Sequence, residues 1–223
     1  HAEGSNTVAS GPWSHAEGYY VTSIGDASHA EGDSTISSGQ FSHAEGSFTI
    51  SSGSYSHAEG SSSLALGISS HAEGIATTAS GDYSHAEGGG TKALGIDSHA
   101  EGILTQAIGD SSHAEGLFTI ALGQYSHAEG RETIASGSYQ HVSGKFNEHG
   151  DDTSLFIVGN GIIGARKDAF KVTHSSSIAI PQTQSAAPTW IGIDGEIVPV
   201  TIGGSSYRLY MWMNGAWKHS TFA

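Results

Sequence analysis

A histidine and a glutamate separated by one alanine and followed by glycine recur throughout the first two thirds of this chain. The tetrapeptide His-Ala-Glu-Gly starts at His1, His15, His29, His43, His57, His71, His85, His99, His113 and His127, always fourteen residues apart. An imidazole and a carboxylate this close can pass a proton, hold a metal ion or form an ion pair. Catalysis needs one pair set apart from the rest. Here no copy is singled out by a nucleophile or a second carboxylate, so the chain is expected not to be an enzyme. Three histidines from three chains around an axis would suit Zn²⁺ or Ni²⁺. Ten consecutive metal layers would be excessive, and no metal or cofactor is expected.

The spacing also dictates what must position these groups. Counting His as position 1, the unit reads H-A-E-G-x-x-T-x-A-x-G-x-x-S and splits into two similar halves of seven. Each half predicts a five-residue strand and a two-residue corner. The glycines at position 4 (Gly18, Gly32, Gly46) and position 11 (Gly25, Gly39, Gly53) are expected to supply the left-handed backbone of the turns. A fixed short period predicts a solenoid whose coils stack in parallel, each about 4.8 Å from the next.

Alternation along a strand sorts the faces. One face carries Ser14, Ala and Gly of the first half and Thr, Ala or Ser (Ala65, Ala79, Ala93; Ser23, Ser37, Ser51) and Gly of the second. The other carries His and Glu, then a mixture such as Ile36, Ile50, Leu64, Lys92, Ile24 and Ser136. Enclosing ten imidazoles and ten carboxylates in a narrow roll would cost several kcal/mol per charge, so the small residues are expected inside. A roll this thin is marginal alone, and packing three chains side by side would bury the outer aliphatic residues. With the His-Glu strand on a three-fold axis, His15, Glu17, His29, Glu31, His43, Glu45, His57, Glu59, His71, Glu73, His85, Glu87, His99, Glu101, His113, Glu115, His127 and Glu129 would form inter-chain columns. A solvated ladder remains the alternative. A threonine column (Thr35, Thr49, Thr77, Thr91) is broken by Val21 and Ser63 and makes a poor ice template. Aromatic residues at the corners (Trp13, Tyr20, Phe41, Phe48, Tyr55, Tyr83, Phe118, Tyr125, Tyr139) could stack on sugars or pack between coils and chains.

Bulk composition narrows the function classes. Only 36% of the 223 residues are hydrophobic, too few for an ordinary core, yet the 32 glycines sit at fixed places and not in flexible tracts. Of the 22 acidic residues ten belong to the repeat, and the excess of acid over the eight basic residues excludes nucleic-acid binding by phosphate neutralisation. The absence of cysteine removes disulfides and thiolate metal sites. No apolar run suits a membrane span, so no membrane insertion is expected. Because the chain opens in mid-repeat, it is expected to be a fragment.

The segment "SHAEGLFTIALGQYSHAEG" (Ser112–Gly130) resembles the fourteen-residue head repeat of YadA-type trimeric autotransporter adhesins. The resemblance implies a left-handed parallel β-roll assembled as a homotrimer. The His-Ala-Glu version, with "DDTSLFIVGNG" (Asp151–Gly161), "DAFKV" (Asp168–Val172) and the ending "TWIGIDGEIVPV…YRLYMWMNGAW", is similar to bacteriophage and prophage tail-fibre proteins. That implies a virion or extracellular location, with other tail or fibre proteins and a host receptor or glycan as partners. A bacterial surface adhesin is the competing reading.

Three regions are expected: a β-roll shaft over 1–144, a β-strand transition segment over 145–180, and a C-terminal hairpin cap or tip over 181–223. The repeat is expected to decay at Gln140–Asp152, where Val142 and Ser143 replace Ala and Glu. "SLFIVGNG" reads as a strand ending in an Asn160-Gly161 turn, with "AFKVTH" and "SIAI" as further strands. Beyond a linker at Pro181–Pro188, Asp194-Gly195 and Asn214-Gly215 predict two hairpins. Tyr207, Tyr210, Trp212 and Trp217 are receptor-contact candidates, against the alternative of a small β core that caps the open solenoid end.

Overall fold

The computed structural model describes residues 1–175, 178–179, 197–202, 206–213 and 216–222, and among them there is no helix. Each coil contributes one strand to each of two parallel sheets. The first sheet stacks the His-Ala-Glu-Gly strands, from Ala2–Ser5 through His15–Tyr19 and His29–Asp33 to His141–Lys145. The second stacks the short partners Val8–Ala9, Thr22–Ser23, Ile36–Ser37 and their successors up to Ile134–Ala135. The register never slips: His71, Ala72, Glu73 and Gly74 pair with His85, Ala86, Glu87 and Gly88. Like residues therefore stack on like, as the period of fourteen requires. The two halves are not equal strands, however. The first is generally five residues and the second only two, because the chain turns again soon after the threonine.

The core is made of small side chains. From the second coil on, alanine at position 2, Ala or Ser at position 9 and Thr, Val21 or Ser63 at position 7 have no solvent exposure. The threonine column lies inside the roll, which removes it as a surface template. Serines close the interior: Ser28 donates to the Gly25 carbonyl at 2.7 Å and meets Ser23 Oγ at 2.7 Å. Thr49, Thr105 and Thr133 donate to the carbonyls of Glu45, Glu101 and Glu129.

The corners differ from expectation. The left-handed backbone at each corner falls on positions 6 and 13, where twenty non-glycine residues of the described chain have φ between +47° and +61°. They include Trp13, Tyr20, Phe41 and Tyr83. At the second corner Ser28 N–H donates to Gly25 O, with the positive φ at Ala27 in the third place, the pattern of a type II turn. The position-11 glycines have no positive φ. They are glycine because coils approach too closely: a Cβ on Gly53 would stand 1.9 Å from the Gly67 carbonyl oxygen. Gly18 and its equivalents at position 4 do have positive φ, but they lie at the surface and not inside as alternation predicts.

The shaft continues past residue 144. His141–Lys145 pairs in parallel below Ser154–Asn160, which places Phe156 in the histidine column and Ile157 in the alanine column. Asp168–Thr173 then pairs antiparallel and ends the parallel stack. The turn between these strands falls at Ile163-Gly164, where Ile162 and Ala165 exchange hydrogen bonds and Gly164 has φ +78°, and not at Asn160-Gly161. Ile197–Ile202, Ser206–Met213 and Ala216–Phe222 form a separate three-stranded antiparallel sheet. Met213 pairs with Ala216, the register a two-residue hairpin demands. The Pro181–Pro188 linker and the Asp194-Gly195 and Asn214-Gly215 turns lie outside the described residues.

The histidine–glutamate ladder as candidate functional site

Alanine points inward from each five-residue strand, so its neighbours His and Glu must point outward. In-register stacking then builds two columns on one face of the shaft. From His15 to His127 the imidazole rings lie parallel, 4.7–4.9 Å between centroids and tilted by 2–8°. Each ring buries one face under the next. About a third of each side chain stays exposed, 34% for both His85 and Glu73.

Pairing runs within one chain. From His43 onward, His Nε2 faces Glu Oε1 of the preceding coil, twelve residues back: His43–Glu31 3.8 Å, His57–Glu45 3.4 Å, His71–Glu59 3.9 Å, His85–Glu73 3.3 Å, His99–Glu87 3.5 Å, His113–Glu101 3.5 Å and His127–Glu115 3.3 Å. His15 instead faces Glu17 of its own strand at 3.7 Å. The inter-chain contacts expected from the sequence thus have an intramolecular counterpart that already uses the same atoms. Burial, then the neighbouring imidazoles of His43 and His15, lower the pKa of His29 against the opposing pull of Glu31 and Glu17. Burial and the rings of His127 and His99 do the same at His113.

The glycine after each glutamate leaves the adjoining surface without side chains. An open trough of about 660 Å³ runs along Glu3, Glu17, Glu31 and Glu45 and the glycines that follow them.

Sequence reading missed two features. His141 extends the ladder by one coil, 3.3 Å from Glu129, although its neighbours are Val142 and Ser143. Its fourteen-residue distance from His127 was the available signal. The second is an ion cluster under the antiparallel strand. Lys171 Nζ lies 2.7 Å from the fully buried Asp168 and 2.8 Å from Asp151, with Glu148 at 3.8 Å. Burial alone would raise the Asp151 pKa, but hydrogen bonds from Lys171, Ser154 and Thr153 hold it well below the usual carboxylate range.

The corner aromatics stand out from the roll. Trp13 is 89% exposed and Tyr83 60%. Two pairs stack between coils, Phe41 on Tyr55 and Tyr125 on Tyr139, each at 5.1 Å. Tyr207, Tyr210 and Trp212 lie on Ser206–Met213, and Trp217 on Ala216–Phe222 pairs with Trp212 in register. The side chains of all four lie outside what the structure describes.

Parallel sheets, fourteen-residue coils and a small-residue core define a β-solenoid repeat protein. The family described as YadA head domain repeat (2 copies) matches residues 2–28, 58–91, 107–126 and 114–139. These segments all lie in the shaft, whose coils are thus similar to repeats of the adhesin-head type. No curated protein matches the chain.

Proposed function

We propose that this chain is a structural segment of a homotrimeric extracellular fibre of the phage or prophage tail-fibre type, whose shaft holds a host-contacting tip away from the particle. The observation that carries the reading is an inversion of ordinary packing. From Ala16 to Ala135 the roll encloses only Ala, Ser, Thr, Gly and Val21, while Ile24, Leu66, Ile75, Leu94, Ile103 and Leu122 are exposed. Exposed aliphatic residues repeated along a rod match what neighbouring rods would cover. One groove of about 360 Å³ is lined by Leu104, Phe118, Ile120 and Ile134 together with Gln106, Glu132 and Arg166.

The role is mechanical, and the reading assigns no catalytic step, no membrane insertion and no nucleic-acid partner. Partners are two further copies of the chain, other fibre proteins, and a receptor or glycan on the host surface. The match to the YadA head repeat favours a second reading, a bacterial surface adhesin with the same shaft.

Sedimentation or light scattering tests the assembly: three times the 22.9 kDa chain mass is expected, and a monomer overturns it. Antibody against the shaft then separates the two contexts, since labelling of released particles supports the fibre and labelling of the bacterial surface supports the adhesin.

A further inference from the structure

Stacking like on like leaves the glutamate column with a charge problem. Carboxylates one coil apart repel one another by about 0.9 kcal/mol in water and by more where water is partly excluded. Each carboxylate from Glu31 to Glu129 has an imidazole as its ion-pair partner. A neutral imidazole supplies no compensating charge.

The distances are informative. Charge-assisted N–H···O bonds close to about 2.7–2.9 Å. The pairs His57–Glu45, His99–Glu87, His113–Glu101 and His127–Glu115 stay at 3.3–3.5 Å. Two ligands bonded to one tetrahedral Zn²⁺ at about 2.0–2.1 Å lie roughly 3.3 Å apart. In addition, Nε2 of His43, His57, His71, His99, His113 and His127 is shielded from solvent and has no hydrogen-bond partner. A shielded ring nitrogen without a partner in these six coils calls for a cause, and an ion is one, whereas His85 and His141 reach Glu73 and Glu129 at 3.3 Å.

We propose that the ladder is a row of divalent transition-metal sites, each built between neighbouring coils of a single chain. Two sets have the donor composition such an ion prefers, His43, Glu45 and His57, and His71, Glu73 and His85; the donor atoms of each set lie within 4.8 Å of one another. The imidazole and carboxylate already 3.3–3.4 Å apart supply nitrogen, oxygen and charge; the second imidazole, its ring stacked 4.8–4.9 Å away, turns toward the ion, and water completes the tetrahedron. Such N/O sites select Zn²⁺, Ni²⁺ or Cu²⁺ over Ca²⁺ and Mg²⁺, which need several oxygens. Three further sets use one histidine and two glutamates, and the set centred on His113 shares its carboxylates with both neighbours. Of the five sets, four share no residue and can fill together.

Each site is complete within one chain and differs from a three-histidine site on a symmetry axis. The proposal therefore stands or falls separately from trimer assembly.

The test uses the tag-free chain, stripped with EDTA and dialysed at pH 7.5. Equilibrium dialysis should show two to four Zn²⁺ retained per chain at micromolar free metal, with a melting midpoint raised by several degrees. Ca²⁺ at the same concentration should do neither. Co²⁺ should give the intense visible bands of a tetrahedral N/O site. The double variant Glu45→Gln, Glu73→Gln should lose two equivalents while keeping the sheet signature in circular dichroism. Retention of less than one Zn²⁺ per chain, a Co²⁺ spectrum like that of the hydrated ion, or unchanged stoichiometry in the double variant overturns the proposal. The Co²⁺ spectrum of the unaltered chain decides the matter if the variant misfolds. Chain mass measured in EDTA keeps the two proposals apart: a trimer that binds no metal sinks only this one.

Discussion

The side-chain amide of Gln140 donates to the main-chain carbonyl of Ser154 at 2.7 Å, across the junction where the regular coils give way to the terminal strands. In the coils below, the same position is serine, short enough only to close its own corner. Gln140 is fully enclosed and spans the junction instead. It also donates to Asp151 O and accepts from the N–H groups of Ser136 and Gly137. Gln140→Ala would orphan buried donors and acceptors on both sides. It is expected to cost about 2–4 kcal/mol, read as a fall in the denaturation midpoint. Gln140→Ser should cost nearly as much, since serine restores only the corner bond.

Close stacking of coils sets a second expectation. In Gly67→Ala the new Cβ would meet the Gly81 carbonyl oxygen at 2.0 Å, and a backbone atom cannot step aside. The cost is expected to reach or exceed the roughly 1–3 kcal/mol typical of overpacking. Gly89→Ala is the matched control, because a Cβ there has nothing within 4 Å. Equal thermal midpoints for the two variants would show that coil spacing is looser than this.

Acidification should weaken the shaft. The folded chain resists protonating His29 and His113, through burial first and the neighbouring rings second, whereas the unfolded chain accepts those protons near the ordinary 6.5. Their contribution is therefore present above about pH 6.5 and is lost as pH falls through the lowered values. In the terminal ion cluster, Asp151 and Lys171 keep their charges over this range. Asp151 stays ionised far below its usual range. Burial would lower the Lys171 pKa, but its bonds to Asp151 and Asp168 raise it. Melting at pH 7.5, 6.0 and 5.0 should show a falling midpoint, and a flat or rising series contradicts the linkage.

Corner strain gives a test of what the aromatics touch. Tyr83 sits at φ +59°, a conformation that costs a bulky residue about 1–2 kcal/mol and asparagine much less. If its ring faces only water, Tyr83→Asn should stabilise the protein by about 1 kcal/mol. A loss of stability, or of assembled mass, would instead mean that the ring packs against another chain.

The sequence made the stacking legible but not its details, for physical reasons. A strict period with alanine between two polar residues leaves one arrangement that keeps charges out of a narrow roll, so Ala58 inside and His57 and Glu59 outside follow directly. The corners were misplaced because glycine serves two purposes here. Gly53 avoids a carbonyl, while left-handed geometry falls on Tyr55, whose type gives no hint of it. The parallel stack goes on beyond the last recognisable repeat because alternation, and not residue identity, decides which side chain enters a column. Ile157 fills the alanine column as well as Ala128 does. Whether His85 reaches for a glutamate in its own chain or in another depends on side-chain rotation, about which spacing is silent.

At positions 6 and 13 the solenoid demands a backbone angle and nothing more. Tryptophan, tyrosine, serine, alanine, aspartate, leucine and glutamate all supply it. Fold and surface are thereby decoupled. Point mutation can rewrite the outer edges of the rod, coil by coil, without touching the alanines that keep it standing. A lineage under pressure to meet new surfaces inherits an addressable lattice, with a fixed pitch and exchangeable letters.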